Sequence, residues 1–426
     1  VRCVAITPPR RPKRRAPSRR ARRPVFSLPA REVQMNASDT GYLLIADITG
    51  YTRFLKGSEL EHARGILEGL FAALLKELRS PFALSNVQGD AILAHARRRD
   101  VSAGQHVLDV IEALYCTFAD ALEKMIRNTT CTCNACRNMA NLDLKLLVHF
   151  GSYVEQSIAG RTELSGPDVI LVHRLMKNEI TAATGIRAYA ALTQPAADAI
   201  GLPEFFAQTR IHTEQTDDFG AVALRVLDMQ PVWQRRKAER NVTVGESDRA
   251  FEDVSVELPL PPDRAWHLLT APEHRGDWVD NVVRTTRSGT VLGRTQAGAA
   301  DHCAHGDGKT LVFSIVEWRP PERVTYHLAL PLGAYWPYTI FVAPTADGCR
   351  VTVRTGAAVA PDAVRRAIVR LIVRPMVPKL RANWVAWFAR LSALAQREAA
   401  ARPAEQASVP AAQVLKDAVN TRLTAQ

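Results

Sequence analysis

The run from Gly41 to Ile48 (GYLLIADI) is apolar apart from its aspartate and lies between polar neighbours. Its length and continuity predict a buried strand with Asp47 at the carboxyl end. The period then changes, and Leu60, Ala63, Ile66, Leu67, Leu70, Leu74, Leu75 and Leu78 recur at helical spacing over Glu59 to Leu78. Phe82 to Ala96 reads as two short strands about Gly89-Asp90. A second helix (Ser102 to Ile126), a strand (Leu142 to Tyr153) and a third helix (Pro167 to Asn178) extend the pattern. This order predicts an α+β sandwich of the split βαβ, ferredoxin-like type.

A polar stretch without apolar periodicity, Gln234 to Asp248, is read as a linker to a second block. Val254 to Leu260 predicts a strand and Asp263 to Thr270 a helix. Thr310 to Trp318, Arg323 to Leu330, Tyr338 to Val342 and Arg350 to Thr355 alternate as strands, and a basic, aromatic helical stretch from Asp362 to Arg397 closes the block. One curved antiparallel sheet wrapped on that long helix is the expected assembly. From Ala399 the chain is rich in Ala, Gln and Pro and reads as a tail. The expected organisation is thus 1–34, 40–230, 234–248, 250–397 and 399–426.

Length and composition agree, since 426 residues that are 47% apolar supply cores for two or three domains. The formal charge of +12 points to nucleic acid only until it is located. Residues 1–34 hold eleven Lys and Arg against Glu32 alone, so that segment carries +10 and the rest only +2. A basic body that neutralises many phosphates is excluded, and no nucleic-acid partner is expected. The arginine-rich segment has six prolines and no apolar periodicity, which predicts disorder. The chain starts with Val, and its first methionine, Met35, stands just before the first strand. A start assigned too far upstream is therefore preferred to a basic arm for membrane or RNA. The sequence has no secretory h-region and no spanning run of roughly 18–20 apolar residues, so a cytoplasmic protein without a transmembrane segment is expected. Seven unevenly spaced cysteines fit reduced thiols better than a disulfide framework.

Asp47 is followed by a small-residue turn, and Asp90 sits at a hairpin tip after Gly89. Were the hairpin strands to flank the first strand, both carboxylates would reach one point, as in hard-cation sites for phosphate chemistry. An N-cap and a turn aspartate explain the same residues without chemistry. The segments Ala46-Asp-Ile-Thr-Gly-Tyr-Thr52 and Gln88-Gly-Asp-Ala91 resemble the two metal-binding motifs of class III nucleotidyl cyclases. The resemblance covers about residues 40 to 228. It implies that Asp47, Ile48 and Asp90 hold Mg²⁺ or Mn²⁺ and that Thr49, Gly50, Tyr51 and Thr52 cradle the phosphates of a nucleoside triphosphate. It also implies that Arg174 stabilises the phosphate in the transition state, and that sites form between two cyclase domains, hence a homodimer. The chain departs from the family where base and ribose are read: Asn86, Glu163 and Ile170 replace the base-reading Lys, the base-reading acid and the ribose-orienting Asn. Losing such orienting hydrogen bonds argues against fast cyclisation. Asn178 offers an amide one helical turn beyond Arg174. The run from His173 to Asn178 and the thiol cluster resemble a divergent bacterial cyclase-like family.

Cys131, Cys133 and Cys136 place three thiols within six residues of a polar stretch. They read either as free thiols, as a redox clasp, or as part of a Zn²⁺ site whose fourth ligand comes from His149, Cys116 or a partner chain. Asp301, His302, Cys303 and His305 also cluster, but surface histidines satisfied by their neighbours are the preferred reading.

Residues 250 to 397 resemble the START-like, polyketide cyclase and dehydrase superfamily with its helix-grip fold. The signals are Leu258-Pro-Leu-Pro-Pro262, Trp266, Trp278 and the turn from Trp318 to Arg323. The resemblance implies a cavity between sheet and long helix for a hydrophobic small molecule or lipid, with Tyr326, Tyr338, Trp384 and Trp387 as candidate lining residues. Arg366, Arg370 and Arg374 repeat at i+4 opposite Val364, Ala367, Ile368, Leu371 and Ile372. That piece reads as a solvated outer face or as a surface for anionic lipid. The combined expectation is a cytoplasmic two-domain sensor whose cyclase-like domain is degenerate. The alternatives are a slow nucleotidyl cyclase regulated by the second domain, and a lipid or polyketide carrier with the first domain as dimerising scaffold.

Overall fold

The computed structural model describes residues 38–158, 161–239 and 242–423, so the arginine-rich segment 1–34 lies outside the described residues. The first domain is built on β1 (Asp39–Thr49), which is followed by the short helix α1 (Tyr51–Lys56) and by α2 (Leu60–Glu77). A hairpin of β2 (Ala83–Gln88) and β3 (Ala91–Arg97) leads to the long helix α3 (Gln105–Asn128), a one-turn helix α4 (Asn134–Asn138) and β4 (Asp143–Ile158). Then come β5 (Arg161–Ser165), α5 (Pro167–Arg174), β6 (Tyr189–Thr193), β7 (Arg210–Thr216), β8 (Gly220–Asp228) and α6 (Met229–Ala238). The sheet order is β2-β3-β1-β4-β6-β8-β7, with β5 paired to β4. Each neighbouring pair among its first four strands is antiparallel, which is the ferredoxin-like arrangement. The apolar run of β1 is continuous because both faces are covered. Tyr42, Leu44, Ala46 and Ile48 face α2 and α3, while Leu43 and Ile45 face α5.

The second domain is a seven-stranded antiparallel sheet with the order β10-β11-β12-β13-β14-β15-β9. Its strands are β9 (Val254–Leu258), β10 (Val282–Ser288), β11 (Ala300–His305), β12 (Thr310–Arg319), β13 (Arg323–Ala329), β14 (Tyr335–Thr345) and β15 (Gly348–Thr355). Helix α7 (Pro262–Thr270) follows β9, and α8 (Ala363–Val373) and α9 (Val377–Leu423) close the domain. Trp384, Phe388, Leu391 and Ala395 form the buried stripe of α9, spaced as a helix face gripped by a sheet requires. The turn of three residues at Arg374–Met376 separates α8 from α9 where Pro375 and Pro378 are expected to break the helical stretch. Helix α9 continues through the Ala-rich stretch, and α6 takes in the first residues of the stretch read as a linker. Strands β10 and β11 were not legible, because β10 is largely exposed and polar and the inward positions of β11 include the polar Asp301, so neither carries an apolar alternation.

The two domains share a polar interface centred on α3. Gln105 clamps the backbone of Thr295, donating to its carbonyl and accepting from its amide at 2.9 Å each. Arg294 reaches Glu112 Oε1 at 2.7 Å and Asp109 Oδ1 at 3.3 Å, all three side chains being buried. Ser80 donates to Asp263, and Arg319 donates to the Arg236 carbonyl at 3.2 Å. This explains why His106, Asp109 and Glu112 of an amphipathic helix are buried: their face is the docking surface. Burial pushes the Asp109 carboxyl up to about 7, an effect that Arg294 opposes and Glu112 reinforces. A carboxyl raised in the folded state contributes stability below its unfolded value near 4, and loses it as pH rises through about 7. The melting temperature is therefore expected to fall between about pH 4 and 7 and to level off above that, and Asp109→Asn to flatten that dependence. An unchanged slope in Asp109→Asn would assign the titration elsewhere.

Candidate functional site

Three places in the fold gather functional side chains. The first is the end of β1, where the ladder sets Asp47 opposite Ala91 of β3 and Lys145 of β4. Residues directly opposite in an antiparallel ladder share a face, so Asp47 and Lys145 meet there, next to the hairpin tip bearing Asp90. Lys145 Nζ lies 2.9 Å from Asp47 Oδ2 and donates to the Met176 carbonyl at 2.8 Å. Asp47 Oδ1 is buried without a hydrogen-bond partner. Burial pushes the Asp47 carboxyl up, Lys145 pulls it down, and the neighbouring Asp90 carboxyl, in hydrogen-bonding reach, pushes it up again. The Asp90 carbonyl accepts from the Ile48 amide at 3.0 Å, which fixes the two motifs together. Gly50, at φ 86°, turns the chain into α1, so Thr49 to Thr52 form the expected turn, and the Thr49 hydroxyl is buried and unpartnered. An orphaned carboxylate oxygen facing a second carboxyl fits a hard divalent cation, held by Asp47 Oδ1 and Asp90. The other Asp47 oxygen is already occupied by an ammonium group.

The other residues assigned from the cyclase resemblance make contacts of their own. Arg174 is exposed at the end of α5 and pairs with Asp218 Oδ2 at 3.2 Å. Ile170 is 53% exposed on the same helix. The Asn178 amide is engaged structurally, donating to the Leu175 carbonyl and accepting from the Ile180 amide and the Tyr189 hydroxyl. Asn86 lines a hollow of about 40 Å³ beside Ala91, space for about one or two waters. Lys145 was missed by sequence reasoning, although a lone Lys two residues into a buried strand is the available signal.

The second place is the thiol cluster. Cys131, Cys133 and Cys136 are joined by His62 from the first turn of α2, and the four ligand atoms all lie within 4.8 Å of one another. His62 Nδ1 is 3.2 Å from Cys133 Sγ and 3.6 Å from Cys131 Sγ. The earlier candidates for the fourth position are placed elsewhere. His149 is buried between Thr193 Oγ1 (2.9 Å) and Asp168 Oδ1 (3.1 Å), and Cys116 is buried in α3. The meeting follows from the topology: β4 runs antiparallel to β1 with Asp143 opposite Thr49, so the segment before β4 and the start of α2 share one end of the sandwich. Glu59, one residue before α2, accepts from the amides of Asn134 and Ala135, and the Ala135 amide heads the causes that pull its carboxyl down to about 2. Cys133 Sγ caps α4 by accepting from the Cys136 amide.

The third place is a cavity of about 470 Å³ between the second sheet and α9. Tyr338, Trp384 and Trp387 line it; Tyr326 lies behind, stacked on Tyr338 at 5.2 Å. Phe313, Trp336 and Leu328 add to the apolar wall, and Arg275 is its buried cation. Asp301, His302, Cys303 and His305 do not converge. Asp301 is bound twice by Arg287, His302 bonds Ser288, Cys303 accepts from Thr285, and His305 lines the cavity. Helix α8 turns only Val369 and Val373 inward, leaving Val364, Ile368, Leu371 and Ile372 exposed together with its arginines. No described helix is long and apolar enough to cross a membrane.

Residues 67–184 match the family described as "Protein of unknown function (DUF2652)", and residues 253–391 match "Polyketide cyclase / dehydrase and lipid transport". An uncharacterized protein of Mycobacterium tuberculosis is 34% identical over 97 residues, which are 23% of this chain and 45% of that protein. The chain thus spans less than half the length of that curated relative. Among solved structures, the guanylyl cyclase Cya2 is 14% identical over 45% of this chain and 92% of its own, with a TM-score of 0.35. The adenylyl cyclase CyaB from P. aeruginosa is 13% identical over 45% and 96%, with a TM-score of 0.33. Protein MLL2253 from Mesorhizobium loti is 17% identical over 34% and 96%, with a TM-score of 0.27. The chain joins a ferredoxin-like α+β domain to a domain of a seven-stranded sheet and a long helix, most of which matches the polyketide cyclase and lipid-transport model.

Proposed function

We propose that this chain is a two-domain regulatory protein whose helix-grip domain holds an apolar small molecule or lipid, and whose cyclase-like domain binds a cation and phosphate, or a partner, without fast cyclisation. The cavity of about 470 Å³ carries this reading, since its size and aromatic wall are those of a small-molecule site. For the first domain, Asp47 Oδ1 and Asp90 would hold Mg²⁺ or Mn²⁺, which supplies charge neutralisation for a triphosphate. Lys145 keeps Asp47 in place beside them. The exposed Ile170 carries no polar group that could orient a ribose.

The test extracts apolar ligand from the purified full chain and measures 1-dodecanol binding by calorimetry, while the same protein is assayed for cyclic nucleotide with ATP or GTP and Mn²⁺. Expected are saturable dodecanol binding, weakened at least tenfold by Leu328→Trp, which fills the cavity, and no cyclic product above the Asp47→Ala background. Product formation lost in Asp47→Ala would restore the cyclase reading. An absence of any apolar binding would remove the cavity reading.

A second reading is carried by the four-ligand cluster: His62, Cys131, Cys133 and Cys136 hold a structural zinc ion. Tetrahedral bonds of about 2.3 Å set ligand atoms about 3.7 Å apart, and the two contacts to His62 Nδ1 are 3.2 and 3.6 Å. A set of three thiols and one imidazole favours zinc over hard cations.

A further inference from the structure

Arg275 is 5% exposed, and no carboxylate of the described residues pairs with it. The acid in its electrostatic neighbourhood, Asp301, is held at 2.6 and 2.9 Å by Arg287, which also donates to the Thr270 carbonyl. Two buried guanidinium groups therefore share one buried carboxylate, leaving a surplus of one positive charge. Arg275 donates to the Tyr338 hydroxyl at 3.2 Å and otherwise packs among the rings of Trp278, Phe313 and Tyr326, at 5.0, 5.3 and 5.7 Å. Arginine does not shed its proton in proteins, so burial cannot neutralise it as it would a lysine. An unpaired buried charge is among the costliest features a fold can carry. This one forms part of the wall of the cavity, where the lone acid, Asp280, is taken by the Trp387 indole N–H.

We propose that Arg275 receives the anionic head of an amphipathic ligand, a carboxylate or phosphate monoester whose apolar body fills the cavity. The inference rests on the cavity reading above and adds the chemical class of its occupant. The planar guanidinium matches an oxyanion with two parallel hydrogen bonds, and the surrounding rings exclude the water that would weaken them. The ligand then supplies the counter-charge that the protein lacks. A neutral or cationic head would leave that charge uncompensated.

The test uses the delipidated full chain at pH 8 and four probes with the same tail, each below its micelle concentration: dodecanoate, dodecyl phosphate, 1-dodecanol and dodecylamine. Calorimetry is expected to rank at least one anion tenfold or more above the alcohol, with the amine weakest, and the stronger anion names the head group. In Arg275→Met the anion's advantage over the alcohol should disappear, and in Arg275→Lys it should return in part. Without ligand, Arg275→Met should melt no lower than the wild type, whereas Arg287→Met, which strips Asp301 of its partner, should melt lower. The wild-type ranking decides the question even if a variant does not fold. Equal affinity for acid and alcohol would overturn the role of Arg275 and leave the cavity reading standing. Binding of none of the four would overturn both.

Discussion

Arg294→Met is expected to destabilise the folded chain by about 3–5 kcal/mol, because removing one partner of a buried ion pair leaves the other charge uncompensated. Two carboxyl groups lose their shared cation here, Glu112 at 2.7 Å and Asp109 at 3.3 Å, and both lie on the face of α3 that meets the second domain. Arg235 remains at 3.6 Å from Glu112 but is 44% exposed, and the buried Arg236 still acts on both carboxyls without an ion pair to either, so together they offset only part of the loss. Urea denaturation is the measurement. The wild type should unfold in one transition that involves both domains, and the variant in two, as the cyclase-like and helix-grip domains lose their docking. Adding Glu112→Gln to Arg294→Met removes the stranded charge and should recover part of the loss, a coupling of roughly 0.5–3 kcal/mol. A single mutant within about 0.5 kcal/mol of the wild type would show that surface substitutions weigh as much as this cluster, and the docking would then rest on Gln105 and the apolar contacts.

The regular parts of this fold were legible because each obeys one period. The apolar run of β1, the leucines of α2 and the stripe of α9 name their own faces. Their order alone is enough for the ferredoxin-like and helix-grip frames. What stayed hidden depends on residues that only the fold brings together. His62 lies 69 positions before Cys131, so no local spacing ties them, yet the antiparallel run of β4 beside β1 brings them to one end of the sandwich. Lys145 is one polar residue in an apolar strand until the ladder sets it against Asp47. Arg275 opens the short helix Arg275–Trp278, and composition does not show that its surroundings are aromatic. The burial of Asp109 and Glu112 was equally invisible, since an amphipathic helix has a second covered face only when another domain docks on it.

Zinc removal is the other large effect. The purified chain is expected to carry one zinc ion per molecule by elemental analysis, and Cys133→Ser or His62→Ala to lose it. A ligand that binds only the folded state stabilises by RT ln(1 + [L]/Kd), roughly 4 kcal/mol at a free concentration of about 1,000 Kd. For a single transition of both domains that corresponds to a fall in Tm of roughly 5 °C on chelation. The reason lies in what the cluster joins. Without metal, the start of α2 is tied to α4 by the hydrogen bonds that Glu59 accepts from the Asn134 and Ala135 amides and by the weak contact of His62 with Cys133. Both elements stand beside the β1 turn that carries Thr49 to Thr52, since Asn141 lies against Gly50. Loss of zinc should therefore loosen the turn from Thr49 to Thr52 as well as the helix start, and hydrogen exchange should rise at both. Two outcomes separate the alternatives for these thiols. Metal-free protein that melts unchanged by chelator but gains stability on mild oxidation would identify a redox clasp. Chelator-sensitive melting that is abolished in His62→Ala would identify the zinc site, because the imidazole has no part in disulfide chemistry.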